Sequence, residues 1–439
     1  MRRPLNGVLD SGFTIAVLIL ATAAFQSLVL NPSNPDAGVQ GSPEMRAIWA
    51  AVYAIVVVRA FTNRNQIIDA IRANKFLLLM ILMAVVSTVW SAAPGLTLRR
   101  SFAVVLTTLF GIDFAVRYSI QRQLRLIGFA LGFTVLMSVF IQMFFPHAIP
   151  SLESIYSDAW NGVFVQKNTL GKIAVLTVVV ILTRARETLW SLFGVSMAVV
   201  GAFALIVKTQ SMGALIVLVA MLLLLPLCRI FRWNMVRAPV AAQFLKVLVL
   251  LPALCLILPT LGGLFPLFGR DSTLTGRAQL WSMSFASIAK KPLLGYGYNA
   301  FWNVSQQALQ LRSMLKWNPP HSHNSFIDLT LQLGLVGLFL FVATYAVAVR
   351  RAVTYMRPSL GRESMWPFAY LSFTLLYGIT EGGFVAPGAI FWILFVAAAC
   401  SVTQLPEAYS LPVLEDGQGE PEPQPRLTVN PDYVGSEFL

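Results

Sequence analysis

Charge is scarce in this chain, and so is cysteine. Only 12% of its 439 residues are Asp, Glu, Lys or Arg, against 57% hydrophobic ones, and the mean hydropathy is +0.71. A soluble core cannot hide that much apolar surface, which excludes a soluble globular protein. The three cysteines, Cys228, Cys255 and Cys400, all fall in long apolar runs, so neither a disulfide framework nor a Cys metal site is supported. Histidine is equally sparse, with three in the chain. His321 and His323, two positions apart, have no Cys or carboxylate cluster near them in sequence, and that spacing is poor for one helical face, which argues against metal binding. No paired Asp-x-Asp stands in the outward segments to hold a divalent ion.

What is present is membrane. Apolar runs of spanning length occur at Phe13 to Leu30, Ala47 to Phe61, Phe76 to Trp90, Ser101 to Val116, Leu126 to Phe145, Leu170 to Leu182, Leu189 to Val207, Met212 to Cys228, Phe244 to Leu261, Phe326 to Val349, Met365 to Thr380 and Phe384 to Val402. The expectation is an all-α polytopic membrane protein of about 12 transmembrane helices. The runs do not alternate, so a barrel is excluded. Basic residues concentrate in alternate loops, for example Arg59, Arg64, Arg72 and Lys75, then Arg117, Arg122 and Arg125, then Arg350, Arg351 and Arg357. By the positive-inside rule those loops and both termini are cytoplasmic. The net charge of +13 is thus a set of dispersed topology signals, and nucleic acid is not an expected partner. Arg2-Arg3 followed by an apolar run could mimic a cleaved signal peptide, but the run continues past Ala23 to Leu30. Residues 1–404 read as the transmembrane domain. Residues 405–439, with the run GQGEPEPQPR, read as a disordered, acidic, Pro-rich cytoplasmic tail.

One large periplasmic loop, about 262–322, interrupts the spans. Within it GRDSTLTGRAQLWSMSFASIAKKP offers Thr275 as a helix N-cap and sets Arg277, Trp281, Phe285 and Ile288 at helical spacing, which predicts an amphipathic interfacial helix. Arg277 at its start could meet a phosphate, or pair with lipid head groups or with Asp271. Several other outward cations disobey the counting rule, among them Lys167, Lys172, Lys208 and Arg270; each is either functional or a side chain snorkelling to the interface. Gly295-Tyr296-Gly297-Tyr298 contains a potassium-filter triplet, but Leu293-Leu294 precede it in place of Thr-Val; its aromatics could stack on sugars or merely anchor the fold. His323 is the best general base in the outward segments. After it Asn324, Asp328 and Gln332 recur every four residues, a polar stripe that must face a cavity or another helix.

Four stretches in order, VWSAAPGLTLRRS from Val89, QKNTLG from Gln166, TGRAQLW with PLLGYGYNAFW, and His323-Asn324 followed after nine residues by Gly334 and after two more by Gly337, resemble the O-antigen ligase and polysaccharide polymerase superfamily of bacterial inner membranes. The likeness is greatest to its exopolysaccharide-production branch. The resemblance implies a glycosyltransferase that moves an undecaprenyl-diphosphate-linked oligosaccharide to an acceptor hydroxyl at the periplasmic face, with inversion and without metal or other cofactor. A diphosphate is already a good leaving group, so stabilising its departing charge matters more than protonating it. His323 is then the base, Arg277 the diphosphate ligand, Arg270 and Lys167 further donor contacts, and Asn324 and Asp328 orient the site. The Ser-Arg pair of many relatives is Ser211-Met212 here, and Lys208, about one turn earlier, is the candidate replacement. The favoured reading is polymerisation of exopolysaccharide or O-antigen repeat units; transfer to lipid A core or protein is the close alternative, and a transporter or flippase the rival from another class. Implied partners are the lipid-linked donor, the glycan or lipid A core acceptor, the bilayer, a chain-length regulator and a flippase.

Overall fold

The computed structural model describes residues 4–25, 42–145, 159–184, 189–235, 277–315, 319–356 and 361–403. Regular structure among them is helical throughout. In chain order the helices are α1 (Pro4–Ala21), α2 (Pro43–Thr62), α3 (Arg64–Ala73), α4 (Lys75–Val86), α5 (Pro94–Arg117), α6 (Ile120–Phe144), α7 (Lys167–Thr183), α8 (Leu189–Thr209), α9 (Met212–Met235), α10 (Arg277–Lys290), α11 (Phe301–Val304), α12 (Gln306–Met314), α13 (Ser325–Met356), α14 (Trp366–Thr380) and α15 (Ile390–Ser401). Local chemistry starts several of them. Ser42 accepts from Met45 N at 3.1 Å ahead of Pro43, and Ser305 accepts from Ala308 N at 3.0 Å, each supplying an acceptor that the first helical turn lacks.

Four described helices, α2, α5, α6 and α13, are long and apolar enough to cross a bilayer, or five if α3 with Lys75–Trp90, bent by 92°, counts as one broken span. Every predicted apolar run coincides with a helix except Phe244 to Leu261, which lies outside the described residues. Two boundaries differ from expectation. Helix α1 ends at Ala21 because Ala23 and Phe25 turn left-handed (φ 63° and 60°) and Phe25 N donates to Val163 O at 3.0 Å. Helix α15 begins only at Ile390, because residues 381–389 form a loop with left-handed Gly383 and Gly388; the site is built on that loop.

Helices α14 and α15 are buried on nearly all sides and form the centre, α15 against α5 and α14 against α13 and α9. Lipid gives helices little hydrophobic reason to associate, so close packing at small residues matters. A Cβ added at Gly111 would lie 2.8 Å from that of Val396, and one at Gly171 would lie 2.8 Å from that of Ala214. Large apolar side chains such as Val58, Phe129 and Leu136 point outward instead, as a bilayer-facing surface requires.

Helix α13 is broken at Gly334 (φ 66°, ψ −170°). Segment 292–297 threads the break and takes up its freed groups: Leu335 N donates to Pro292 O at 2.8 Å, Tyr296 N to Leu331 O at 2.9 Å and Gly297 N to Gln332 O at 2.9 Å. A side chain at Gly334 would strike the backbone of Leu293, and one at Gly295 would sit 2.7 Å from the Gln332 carbonyl. The glycines of both motifs are therefore the two halves of one backbone crossing.

Candidate active site

The His323 turn is held from inside the protein. Asn324 Oδ1 caps α13, accepting from Phe326 N at 3.0 Å and Ile327 N at 3.2 Å. Asp328, one turn on, accepts from Ser322 N at 2.9 Å and from Trp302 Nε1 at 2.8 Å, while Trp281 Nε1 donates to Ser322 O at 2.8 Å. With Ser322 pinned by both neighbours, the residues beside it turn outward together. The His321 and His323 rings meet edge to face with centres 4.3 Å apart, and His323 itself is left-handed at φ 55°. Such backbone costs a non-glycine residue about 1–3 kcal/mol and gathers at functional sites.

Facing the turn from the end of α14 is Glu381. Its Oε2 lies 3.1 Å from His323 Nδ1. Its Oε1 accepts from Asn168 Nδ2 at 3.2 Å and pairs with Arg277 Nη2 at 3.4 Å. Arg277 also donates from Nη1 to Thr380 O at 2.9 Å, and Ser325 Oγ donates to Glu381 O at 2.7 Å. Burial works to raise this carboxyl, but the His323 hydrogen bond, the two neighbouring histidine rings and the Arg277 charge win and hold it at about 2. Burial pushes His321 down to about 3, with His323 reinforcing it, so that ring stays neutral, and its Nδ1 accepts from His323 N at 3.1 Å. In the tautomer that donates from Nδ1 to this carboxylate, Nε2 of His323 is the acceptor, an arrangement able to take up a proton.

By residue type His321, His323 and Glu381 could also hold a cation, since one ligand atom from each lies within 4.8 Å of the others. The bonds just described already occupy Nδ1 of both histidines and both Glu381 oxygens. Nε2 of each ring takes part in none of these bonds.

The structure brings His323 and Arg277 together, with Asn324 and Asp328 bracing the turn from behind. Lys167 is buried at the start of α7, next to Asn168. Lys208 is exposed with Nζ 5.8 Å from the centre of the Trp160 ring. Arg270, Asp271 and Thr275 lie outside the described residues. Two expectations are corrected. A carboxylate does accompany the histidines, because chain folding delivers Glu381 from 58 positions away. The apolar face of α10 is rotated: Leu280, Ser284 and Ser287 are buried while Phe285 is 56% exposed, since the helix docks on α13. Of the two readings open for Tyr296, Tyr298, Phe301 and Trp302, the structure favours the anchor: all four are core, with Tyr296 Oη donating to Ser287 O and Tyr298 Oη to Val385 O. The overlooked signal for Glu381 was a single carboxylate before Gly382-Gly383 between two apolar runs, and an ionisable group in such a place is a site candidate by default.

Residues 197–342 match the O-antigen ligase family. That stretch contains Arg277, His323 and both crossing glycines. Over those residues the chain is similar to O-antigen ligases. It is similar to the exopolysaccharide production protein ExoQ of Rhizobium meliloti, 23% identical over 311 residues, which is 68% of this chain and 69% of that one. It is also similar to a Rickettsia felis protein named "Putative polysaccharide ligase", 34% identical over 70 residues, 15% of this chain and 17% of that one. The protein thus combines helices long and apolar enough to span a membrane with a likeness to O-antigen ligases and to an exopolysaccharide production protein. The matched stretch begins after Asn168 and ends before Glu381, so both of these residues lie outside it.

Proposed function

We propose that this protein is an inner-membrane glycosyltransferase that moves a glycan from undecaprenyl diphosphate to an acceptor hydroxyl at the periplasmic face, joining repeat units of an exported polysaccharide. The observation that carries the reading is the His323–Glu381–Arg277 cluster. Glu381 orients His323, whose Nε2 takes the acceptor proton as the hydroxyl oxygen attacks the anomeric carbon. The bond to the diphosphate oxygen breaks on the opposite face, which inverts the sugar, and the diphosphate leaves as an anion. Arg277, at the start of α10 and only partly covered, meets that anion with guanidinium donors not spent on Glu381. Arg270, Lys167 and Lys208 are further donor contacts, and Asn324 and Asp328 keep the turn in place. No metal is needed where a good leaving group meets fixed cations.

Polymerase is preferred because the longer likeness, over 68% of this chain, is to an exopolysaccharide production protein. A ligase acting on lipid A core or protein is favoured in turn by the family match. Incubation of the purified protein with lipid-diphosphate oligosaccharide separates the readings: longer lipid-linked chains mark a polymerase, transfer to lipid A or protein a ligase, and unaltered donor relocated across vesicles a flippase. For topology, we expect Cys substitutions at positions 277 and 324 to be labelled from outside the cell and one at position 357 not; the reverse pattern would overturn the orientation.

A further inference from the structure

One helical turn deeper than the dyad, the same two helix ends carry a second layer built round a lysine. Asn168 and Lys172 are four positions apart on α7 and share a face. Tyr377 and Glu381 stand in the same relation at the end of α14, where Glu381 N donates to Tyr377 O at 2.7 Å. The upper layer meets as Asn168 to Glu381, 3.2 Å. The lower one meets as Lys172 and Tyr377, with Lys172 Nζ 5.3 Å from that ring centre and 3.9 Å from the centre of Phe391. An ammonium over two aromatic faces is held by their quadrupoles in a place where lipid offers it nothing.

Beside it is a pocket of about 20 Å³ lined by Lys172, Ser325, Tyr377, Gly383, Phe384 and Phe391, room for about one water. Tyr377 Oη, 3% exposed as a residue, has no hydrogen-bond partner among the described residues. Ser325 Oγ spends its proton on Glu381 O and keeps its acceptor capacity. Lys172, Tyr377 and Ser325 are thus the partners that a single buried water requires. The lysine's charge reaches upward to both Glu381 and His321.

We propose that Lys172 is a positioning residue of the transfer site: caged by Tyr377 and Phe391 and bridged by one water, it fixes a positive charge beneath Glu381 and the histidine turn on the side away from Arg277. This rests on the reading of His323 as the base. The charged and titratable groups around it are Tyr377 on α14 and Glu381 just past its end, His321 and His323 in the turn, Arg277 on α10 and Asp328 on α13. Removing Lys172 takes a fixed positive charge away from the turn, and an acid limb of transfer that depends on that charge must move to higher pH.

The test uses full-length protein in nanodiscs with lipid-linked oligosaccharides extracted from its host's membranes. Lys172→Met should lower kcat about tenfold at unchanged donor KM and shift the acid limb of the rate upward by about one pH unit. Lys172→Arg should restore most of both, and Tyr377→Phe should cost about two- to threefold through loss of a water contact. A wild-type rate and profile in Lys172→Met would overturn the inference. So would a raised KM at unchanged kcat, or an equal loss at every pH in the Met and Arg variants. Should Lys172→Met not accumulate as folded protein, an undiminished rate in Tyr377→Phe overturns it instead. His323→Ala separates the two levels: if that variant is active the base itself falls, and if it is inactive while Lys172→Met is normal only the role of Lys172 falls.

Discussion

Charge is taken out of water at two ends of this bundle, on opposite plans. At the Arg117 end of α5, Asp113 is fully buried and receives Arg117 at 2.9 Å and Arg59 at 3.3 Å, while Asp10 pairs with Arg117 at 3.3 Å. Arg59 also donates to Thr14 at 3.2 Å and lies 4.8 Å from the Phe13 ring centre. Two cations match two carboxylates, and the result ties α1, α2 and α5 together. At the His323 end one carboxylate receives an imidazole, a guanidinium and an amide, with a lysine beneath it. The balanced cluster is complete as a clasp. The cation-rich one, on strained backbone, is suited to admit a further anion.

The comparison breaks most sharply at His323. His323→Ala should lower transfer by about 10²–10⁴-fold with folded protein and donor binding retained, assayed by product formation beside a donor-binding measurement. Near-normal turnover would make this end as structural as the other. Glu381→Gln should follow at about 10–100-fold, because the amide keeps the contact and loses the charge that fixes the imidazole tautomer. The sign of its pH dependence is set by its depressed value. A carboxyl held at about 2 against the usual 4.5 contributes stability fully above 4.5 and loses it as pH falls toward 2. A fall in transfer between pH 7 and 5 therefore cannot come from Glu381, and Glu381→Gln should not abolish that fall.

Local chemistry was legible in the sequence. Apolar runs became helices because backbone in lipid has no other partner, and His323, Gly334 and Gly337 could be picked out together because they lie in one segment, while the helix break at Gly334 was not foreseen. Glu381 was not legible, since its meeting with His323 depends on how α13 and α14 pack. The phase of α10 failed for a related reason: Phe285 and Leu280 are both apolar, and only docking decides which is covered. The Tyr296 to Trp302 aromatics look alike whether they face sugar or core until their polar tips are seen donating to Ser287, Val385 and Asp328.

Arg277→Lys sharpens the comparison at a smaller scale. A point charge can keep the pairing with Glu381 but cannot also reach Thr380 O and a phosphate as a fork does, so transfer should fall about tenfold. Full activity in both Arg277→Lys and Arg277→Gln would leave the residue as an interfacial anchor. Chelation should have less effect still: EDTA should leave the wild-type rate unchanged, and restoration by a divalent ion after a loss would turn the His321, His323 and Glu381 group into a metal site.

The smallest catalytic effect is expected at the other end, where the largest structural one lies. Asp113→Ala leaves Arg59 and Arg117 without their shared carboxylate in a buried place, and breaking a buried pair from one side costs about 3–5 kcal/mol. Helices α1, α2 and α5 should loosen, and the midpoint of thermal unfolding in detergent should drop. Transfer per folded molecule should stay within about twofold of wild type, because additive behaviour is the rule for sites that share no partners. Asp10→Asn should do less, as its side chain is 39% exposed and water can take over part of its role. A loss of turnover in Asp113→Ala beyond the loss of folded protein would show that the clasp and the dyad are coupled through α5 and α15, and the two ends would then be one machine rather than a fastening and a site.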